Sequence, residues 1–446
     1  DLSAKRSLSL AFCRKLPAMD IVLNYGITQL AVSLPDDLDV SIIRKPDMPL
    51  LDDPVAALAA SFGKPDGGPP LADLAKGAKS ACVLICDITR PVPNGVILPP
   101  LLRALLDSGL KAKDITILVA TGLHRPNEGD ELAELVGDSW VMENFTVANH
   151  FARDDTAHVS LGRTGSGTEV RLDKRFVEAD LRIATGLVEP HFMAGWSGGR
   201  KVIAPGIAHA ETITTFHSAR FMEHTNCDNC ILDGNPLHEE QLEIVRMLGG
   251  ASAVNVVIDE ERRISMVNFG EVVESHMAAV DHVESYAVVA VPERFPTVVT
   301  SAAGYPLDKT YYQTVKGMVG PLDILEPGGS LVIASACSEG MGSAEYVASQ
   351  RNLLDMGAER FLSHIEAKSH AAVDEWQTEM LLKPLRAGSV GLYTEGLTEE
   401  EFALTAVSQV ASVADAVAEA VAAAGDRRVA VIPEGPYVVP RYRPGT

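Results

Sequence analysis

The chain has 446 residues, of which 46% are hydrophobic, so it can build two or three packed cores and is not a disordered protein. Its net charge of −22 repels phosphate backbones and anionic lipids, which disfavours nucleic acid and membrane surfaces as partners. No apolar run reaches the roughly 20 residues of a membrane span, and six cysteines are too few for a secreted disulfide framework, which favours the cytoplasm.

The first 18 residues differ in charge from the rest of the chain, because they hold Lys5, Arg6, Arg14 and Lys15 but only one acid. An alternating apolar pattern, which is typical of a strand, begins at Met19. We therefore predict that residues 1–18 form an extension outside the fold and that the folded part starts at Met19.

The middle of the chain alternates short β-rich runs with helical patterns, which is typical of a mainly parallel sheet with helices on both faces. The predicted strands cover residues 81–87, 114–120, 145–148, 180–185, 253–258 and 264–269. The predicted helices cover residues 96–110, 236–248 and 271–286. This series predicts one α/β domain.

A second α/β series begins near residue 287. Its predicted strands cover residues 287–291, 297–301, 330–334, 391–394 and 428–433. Its predicted helices cover residues 309–319, 343–349, 358–368 and 374–382, followed by a long alanine-rich helix that ends near Gly425. The pattern predicts an N-terminal domain over residues 19–287 and a C-terminal domain over residues 288–446.

Polar loops directly follow the first, second and fourth predicted strands. They cover residues 87–90, 121–125 and 186–191. Ligands usually bind at the carboxyl ends of parallel strands, so we expect these loops to form one crevice. Arg90 could clamp a carboxylate with two hydrogen bonds, or it could pair with Asp87 as a structural cap. His124 also follows a strand, and an imidazole there is suited to proton transfer near neutral pH.

The densest stretch of candidate residues is E-P-H-F-M-A-G-W-S-G-G-R-K, over residues 189–201. Its glycines leave backbone amides uncovered, and Arg200 and Lys201 follow them directly. Such a loop can cradle a phosphate with amides and cations. The alternative is a tight turn with two surface cations.

Several histidines and a C-x-x-C pair follow this loop. His217 and His224 are seven residues apart, which on a helix would place them on nearly the same face. Cys227 and Cys230 lie close by in sequence. Zinc binds such nitrogen and sulfur ligands, so one interpretation is a zinc site, and the other is a pair of ordinary surface cysteines.

The predicted helix over residues 309–319 carries Tyr312, Gln313 and Lys316. Lys316 follows Gln313 by three positions and Tyr312 by four, so these side chains are neighbours on the helix surface. They form either a ligand-binding face or an ordinary solvated face.

Taken in order, several strings of the chain resemble the nickel-pincer lactate racemase family. These strings are D-I-T-R-P-V-P (87–93), T-G-L-H-R (121–125), E-P-H-F-M-A-G-W-S-G-G-R-K (189–201), L-D-G-N-P-L-H-E-E (232–240), G-Y-P-L-D-K-T-Y-Y-Q-T-V-K-G (304–317) and C-S-E-G-M-G-S (337–343). The resemblance runs from about Met19 to the C-terminus. It implies two α/β domains with mainly parallel sheets and an active site in the interdomain cleft.

The resemblance also implies a cofactor and roles for individual residues. The cofactor is nickel held by a pyridinium-3-thioamide-5-thiocarboxylic acid mononucleotide, the nickel-pincer nucleotide, attached to Lys201. His217 is the implied protein ligand of nickel, and His124 and His191 are the implied acid/base pair. The residues implied to bind substrate are Arg90, Tyr312, Gln313 and Lys316. The residues implied to bind the cofactor besides Lys201 are Asp87, Gly198, Gly199 and Trp376.

The implied reaction is racemisation or C2-epimerisation of a 2-hydroxy acid by hydride transfer to and from this cofactor. Hydride removal avoids a carbanion beside a carboxylate, and because side chains cannot accept hydride, a cofactor must. A base is still needed for the hydroxyl proton. The implied partners are a small 2-hydroxy acid and the proteins that make the cofactor. The alternatives are a malate-like, aromatic or sugar-acid substrate and, in another class, a zinc-dependent hydrolase built on Cys227, Cys230 and nearby histidines.

Overall fold

The computed structural model describes residues 18–445, so the predicted extension lies outside the described residues except for Ala18. The strands are β1 Ala18–Tyr25, β2 Thr28–Pro35, β3 Asp39–Ile42, β4 Ala81–Cys86, β5 Ile115–Ala120, β6 Thr146–Asn149, β7 His158–Arg163, β8 Glu169–Asp173, β9 Leu181–Leu187, β10 Pro190–His191, β11 Gly195–Trp196, β12 Ser252–Ile258, β13 Ile264–Glu271, β14 Val288–Val291, β15 Phe295–Ser301, β16 Leu325–Ala334, β17 Ser389–Tyr393, β18 Ser408–Gln409, β19 Arg428–Ile432 and β20 Val439–Tyr442.

The helices pack around these strands. They are α1 Pro54–Gly63, α2 Leu71–Ala75, α3 Asn94–Asp107, α4 Gly129–Val136, α5 Ser139–Asn144, α6 Lys174–Val177, α7 Arg200–Ile203, α8 Ala210–Phe216, α9 Ala219–Met222, α10 Pro236–Leu248, α11 Glu274–Ala287, α12 Tyr311–Val319, α13 Ala344–Met356, α14 Ala358–Glu366, α15 Glu375–Ala387, α16 Glu399–Phe402 and α17 Val413–Ala424. Within residues 18–445, no helix has both the length and the apolar composition that crossing a membrane requires.

The first six-stranded sheet has the order β13-β12-β9-β4-β5-β6. All neighbouring strands run parallel except β12 and β13, which pair antiparallel. Val83, Leu84 and Ile85 of β4 are each 0% exposed, as expected for a strand covered by helices on both faces. Because β9, β4 and β5 are neighbours, the loops that follow them meet at one edge of the sheet.

The second six-stranded sheet has the order β18-β17-β16-β15-β19-β3 and is parallel throughout. Its edge strand β3 comes from the start of the chain and pairs with β19. The hairpin β1–β2 joins the same region, because Ile21 and Leu23 share a core with Val299 and Val431. Strands β1, β2 and β3, which lie early in the chain, therefore pack with the second sheet, since a parallel neighbour can come from any distance along the chain.

Most predicted elements lie within a few residues of their observed positions, and α10 begins and ends at the predicted residues. The predicted placement of His217 and His224 on one helix face is wrong. Helix α8 ends at Phe216 and helix α9 ends at Met222, so the two histidines follow different short helices. Hydrogen bonding explains the break, because the Ser218 carbonyl starts a new helix by accepting from the amide of Met222.

The molecule has two halves, each built on one of the six-stranded sheets, and they contact each other along α15. The amide of Ala371, just before this helix, donates to the carbonyl of Thr214 at 2.9 Å. Within the helix, Lys383 donates to the Cys227 carbonyl at 2.5 Å, and Arg386 pairs with Glu223 at 2.9 Å. These bonds hold the second sheet's helices against the segment that follows α8.

Candidate active site

Loops at the carboxyl ends of three neighbouring strands bring polar side chains to one edge of the first sheet. Strand β4 ends directly before Asp87, and β5 ends at Ala120, shortly before His124. Strand β9 ends at Leu187, and Glu189 and His191 follow it. The crevice expected from the sequence is therefore present.

Asp87 and His124 connect two of these loops. The Nδ1 atom of His124 lies 2.5 Å from Oδ2 of Asp87, while the hydroxyl of Thr89 donates to Oδ1 at 2.6 Å. Burial raises the pKa of Asp87, but the hydrogen bonds from His124 and Thr89 outweigh it and hold the pKa below its ordinary value. An ionised Asp87 can thus orient the imidazole of His124.

Arg90 pairs across the crevice with Glu189 rather than with the Asp87 carboxylate. Its Nη1 donates to Oε1 of Glu189 at 2.9 Å, and its backbone amide donates to the Asp87 carbonyl at 3.1 Å. A guanidinium carries five N–H donors in a planar fork, so this single bond leaves donors for a ligand carboxylate. The side chain of Arg90 is 26% exposed, which leaves it accessible to a ligand.

His191 is fixed by a short antiparallel pair of strands, β10 and β11. Its Nδ1 accepts hydrogen bonds from the amides of Met193 and Ala194 at 3.3 and 3.2 Å. Burial, followed by the nearby charge of Lys201, lowers the pKa of His191 well below its ordinary value. His191 is therefore neutral near pH 7, and with Nδ1 as an acceptor its proton lies on Nε2.

The glycine-rich loop is closely packed, in agreement with the tight-turn interpretation. Gly198 and Gly199 have φ values of +75° and +49°, which a residue with a side chain rarely adopts. A Cβ on Gly199 would lie 2.7 Å from the side chain of His276, and one on Gly198 would lie 2.9 Å from the carbonyl of Leu187. Both glycines are thus required by packing, and their contact with a cofactor stays a prediction.

Arg200 is buried inside this loop, so it is not the surface cation that the tight-turn interpretation expected. It is 0% exposed, and its Nη1 and Nη2 donate to the carbonyls of Trp196 and Ala194 at 2.8 Å each. Its Nε donates to Nδ1 of His238 at 2.9 Å. Burial lowers the pKa of Arg200 to about 9, yet near pH 7 it still places a positive charge beside Lys201.

Lys201 lies in the first turn of α7, between cationic neighbours. Burial, followed by the charges of Arg90 and Arg200, lowers the pKa of Lys201 to about 7. A substantial fraction of the amine is therefore neutral near pH 7. A neutral lysine amine is a nucleophile that can form a covalent bond with an electrophilic carbon.

His217 is a buried histidine at the end of α8. Its Nδ1 donates to the carbonyl of Ile213 at 2.9 Å, so the lone pair of the neutral ring lies on Nε2. Burial lowers the pKa of His217 to about 4. The ring centre lies 5.0 Å from that of Trp376. A neutral imidazole with its other nitrogen bonded to a carbonyl is the usual form of a metal ligand.

The helix α12 directs its polar residues toward the first half of the molecule, so the solvated-face alternative is wrong. Lys316 Nζ lies 5.8 Å from the ring centre of Phe192, and burial lowers the pKa of Lys316 to about 7. The hydroxyl of Tyr312 accepts from Nε1 of Trp376 at 3.4 Å. Oε1 of Gln313 is buried and, among the described residues, has no hydrogen-bond partner.

A cavity joins the two halves at this point. The first half contributes Arg90, His191 and Phe192 to its wall, and the second half contributes Gln313 and Lys316. The expected cleft between the two α/β units is therefore present and contains cations from both. The remaining candidates do not line this cavity: Asp87, His124, Gly198, Gly199, Lys201, His217, Tyr312 and Trp376.

Comparisons with known proteins agree with this arrangement. Residues 25–229 match the lactate racemase N-terminal domain, and residues 292–439 match the lactate racemase C-terminal domain. The chain belongs to the lactate racemase family. It is 31% identical over 435 residues to the lactate racemase of Thermoanaerobacterium thermosaccharolyticum, which covers 95% of this chain and 100% of that protein. Membership confirms the resemblance and identifies the chain as an isomerase.

Two further similarities support the family and the fold. The lactate racemase of Lactiplantibacillus plantarum is 31% identical over 384 residues, covering 85% of this chain and 89% of that protein. The structure of the lactate racemase apoprotein from T. thermosaccharolyticum matches with a TM-score of 0.88 at 30% identity, over 95% of this chain and 100% of that one. A protein of solved structure from Thermotoga maritima, with 17% identity and a TM-score of 0.66, shares the fold.

The zinc hydrolase alternative is wrong for this lactate racemase family member. Within residues 18–445, no group of three or more His, Cys, Asp or Glu side chains is arranged to hold a metal ion. Cys227 is 0% exposed and its thiol donates to the Met193 carbonyl at 3.2 Å. Burial raises the pKa of Cys227 to about 12, so its thiol is neutral near pH 7.

Sequence reasoning missed three residues of this site. Glu189 was visible in the E-P-H string, but only the structure reveals its bond to Arg90. Asp374 has a φ of +62° directly before α15 and accepts from the hydroxyl of Ser343 at 2.5 Å. Tyr437 lines the cavity from the far end of the chain, and no motif marks it.

Proposed function

We propose that this chain racemises or epimerises a 2-hydroxy acid at C2 by hydride transfer to and from a nickel-pincer nucleotide tethered to Lys201. The observation that carries the proposal is the cavity in which Arg90 and His191 of one half face Lys316 of the other. Relatives named lactate racemase make lactate the first candidate substrate. A malate-like, aromatic or sugar acid remains the alternative for the same chemistry.

Arg90 and Lys316 are suited to bind the substrate carboxylate. Arg90 has unused donors in a planar fork, and Lys316 adds a point charge from the opposite wall. Bonds between charged partners are roughly twice as strong as neutral ones, and two bonds in fixed directions orient the molecule. Tyr312 and Gln313, on the same helix, would complete the polar contacts, since Oε1 of Gln313 is buried without a partner among the described residues.

His124 and His191 would handle the proton of the C2 hydroxyl. Asp87 holds Nδ1 of His124, which leaves Nε2 of His124 to accept a proton. In His191 the amides occupy Nδ1, so its Nε2–H would donate a hydrogen bond to the substrate oxygen. To take the hydroxyl proton of the opposite enantiomer, His191 must first carry its own proton on Nδ1. It then becomes an imidazolium, which can return the proton from Nε2 in the reverse step.

The residues of the site fit the proposed cofactor. His217 presents a neutral Nε2 with its lone pair, and nickel binds imidazole together with sulfur ligands. Lys201 has an amine that is partly neutral near pH 7, as a covalent tether requires. Trp376 lies against the His217 ring, and Asp87, Gly198 and Gly199 are the other proposed contacts. When bound, this group supplies the hydride acceptor that the side chains lack.

The C2 hydrogen explains why a hydride acceptor is needed. Its removal as a proton would leave a second negative charge beside the carboxylate, whereas its removal as hydride, together with loss of the hydroxyl proton to a base, leaves a neutral ketone group. The proteins that synthesise the cofactor would then be partners of this chain, and a cytoplasmic location would give access to them. The chain's own residues bind the acid, orient C2 and move the hydroxyl proton.

The experiment that tests this function is a turnover screen. Protein produced together with the cofactor-making proteins is incubated with single enantiomers of lactate, malate, 3-phenyllactate and a sugar acid, and the opposite configuration is measured by chiral chromatography. We expect inversion of at least one acid and an added mass on the Lys201 peptide. Lys201→Ala should be inactive, while Lys174→Ala, a change at an exposed lysine, should be active. A fully active preparation with unmodified Lys201 would contradict the tether.

A further inference from the structure

A second cavity lies beside the cavity that holds Arg90 and His191. Its inner wall is apolar and comes from the ends of β9 and β12 and from α11: Leu187, Val188, Ile258, Val283 and Ala287. Charged groups form the other side of its lining, where the buried Lys45 side chain, 5% exposed, pairs with Glu260 at 2.5 Å. A pocket with an apolar wall and a few polar groups is typical of a site for an apolar group.

The two cavities share a wall. Glu189, Pro190 and Tyr437 line both of them, so these residues lie between the two spaces. Glu189 is tied to Arg90 at 2.9 Å, and Pro190 belongs to the pairing of β10 with β11. Tyr437 instead comes from the second half, at the end of the 3-10 turn Gly435–Tyr437 that follows β19. Its ring is thus the part of the wall that can be shortened without changing the bond to Arg90.

Charges from both sides act on the Tyr437 hydroxyl. Burial raises the pKa of Tyr437 above its ordinary range, and the charge of Glu189 raises it further. Arg262, which lines the second cavity, and Arg90, which lines the first, both lower it. The side chain of Tyr437 is therefore influenced by charged residues that line different cavities.

We propose that Tyr437 determines the size of the C2 substituent that this site accepts, by closing the active cavity off from the apolar cavity behind it. This inference rests on the proposed function, because the substituent is the part of a 2-hydroxy acid not bound by Arg90 and Lys316. With the ring in place, the preferred substrate carries a small substituent. Without the ring, a longer apolar or aromatic substituent enters the second cavity.

The chemistry of the second cavity selects the class of substituent. Its inner wall offers apolar contacts, so an alkyl or aryl group gains from burial there. A second carboxylate would lose its hydration against the apolar wall, while the lining cation Lys45 is already paired with Glu260 and Arg262 is exposed to solvent. One methylene in a hydrophobic pocket changes the discrimination between substrates by roughly 10–200-fold, which sets the size of the expected effect.

The test compares Tyr437→Ala with Tyr437→Phe, which retains the ring. For each variant, kcat/KM is measured for lactate, 2-hydroxybutyrate and 3-phenyllactate. We expect Tyr437→Ala to raise the ratio of 3-phenyllactate to lactate by about 10-fold or more, and Tyr437→Phe to leave it as in the wild type. Because each ratio comes from one preparation, partial loss of folded protein cancels. An unchanged ratio in Tyr437→Ala, or in Tyr437→Val should the alanine variant not fold, overturns the proposal.

A second substitution tests whether the space opened by Tyr437→Ala is the second cavity. Met48 lines that cavity from a loop, so Met48→Trp fills it without touching the residues that bind the carboxylate. Added to Tyr437→Ala, this change should return the substrate ratio to the wild-type value. Alone, it should leave lactate turnover unchanged. If the ratio of kcat/KM for 3-phenyllactate to that for lactate stays high in the double variant, the substituent does not occupy the second cavity, which contradicts the proposal.

Binding provides a measurement that does not depend on turnover. The dissociation constant of 3-phenyllactate is measured by calorimetry with protein prepared without the cofactor, and it should fall in Tyr437→Ala but not in Tyr437→Phe. If the loaded wild type inverts no 2-hydroxy acid, the proposed function fails. If it inverts lactate while Tyr437→Ala shows wild-type binding and preference, only the role of Tyr437 fails.

Discussion

The side chains of His124 and Asp87 meet at 2.5 Å although they differ in exposure, since the imidazole is 59% exposed and the carboxylate is 6% exposed. Because the carboxylate contacts Nδ1, it favours the tautomer that carries the proton there and the lone pair on Nε2. Burial alone would raise the pKa of Asp87, but the hydrogen bonds from His124 and Thr89 and the nearby positive charges together outweigh it, so Asp87 stays ionised at neutral pH. Asp87 is therefore a positioning residue for a proton-accepting nitrogen.

Asp87→Asn is expected to lower kcat by roughly 10–100-fold with little change in KM, as for other groups that orient a functional histidine. An asparagine can donate to Nδ1 and so favours the tautomer in which Nε2 is protonated. Steady-state kinetics of the loaded enzyme measure the effect. Thr89→Val is the matched control, because it removes the 2.6 Å bond to Asp87 but keeps the carboxylate. Equal losses in the two variants would contradict a specific role for the contact with His124.

Lys316 should make substrate binding depend on pH. Burial, followed by the charge of Arg90, lowers the pKa of Lys316 to about 7, so its positive charge is present below that pH and is lost above it. KM should therefore rise as the pH increases through about 7. Lys316→Arg keeps its charge and should flatten this dependence, while Lys316→Ala should raise KM roughly 10–100-fold at low pH. Lys111→Ala, at a surface lysine, is the control and should keep the wild-type pH dependence of KM. If KM in Lys316→Arg still rises with pH as in wild type, a group other than Lys316 causes the rise.

His217→Ala should lose nickel. The buried ring presents Nε2, and its Nδ1 bond to the Ile213 carbonyl fixes that orientation. We expect the ratio of nickel to protein after gel filtration to fall by about 10-fold or more, since this ring is the proposed protein ligand. His224→Ala, at an exposed histidine on the next segment, is the control. Full nickel occupancy in His217→Ala would show that the metal is held elsewhere.

Glu379 should make folding stability depend on pH. It is 2% exposed on α15, and its Oε1 has no hydrogen-bond partner among the described residues. Burial, followed by the charge of Glu223, raises the pKa of Glu379 to about 9. The carboxyl must therefore stay protonated in the folded state, so stability is lost as the pH rises from the ordinary glutamate value of 4.5 toward about 9.

Glu379→Gln, which is neutral at every pH, should remove this loss. We expect the variant to gain about 1 kcal/mol or more relative to wild type between pH 5 and 8, which for a chain of 446 residues corresponds to roughly 1 °C or more in Tm. Thermal unfolding across that range is the measurement. Glu400→Gln, at an exposed position, should show the same dependence of Tm on pH as wild type. If Tm of Glu379→Gln also depends on pH as in wild type, the carboxyl of Glu379 is ionised in the folded protein.

The sequence allowed much of the fold and the site to be predicted, because local patterns determine strands and the loops that follow them. The loops with Asp87, His124 and His191 each follow a strand, and the order of parallel strands brings them together. The placement of β3 beside β19 could not be predicted, since no local pattern specifies which distant strand lies next to an edge.

The partners of individual side chains were the other feature that could not be predicted from the sequence. The pairing of Arg90 with Glu189 depends on two loops whose separation only the folded sheet defines. The glycines before Lys201 suggested open amides, whereas Gly199 is required by the close approach of His276 from α11. Tyr437 carries no motif, and its role follows from its place between two cavities.

The measurement that tests the central claim most directly follows the hydrogen on C2. Substrate deuterated at C2 is inverted by the loaded enzyme in ordinary water, and the product is examined by mass spectrometry and NMR. If hydride leaves and returns, the label is largely retained in the inverted product, and His124 and His191 exchange only the hydroxyl proton. Inversion with complete loss of the label to water would contradict the hydride account and make these two histidines direct bases at carbon.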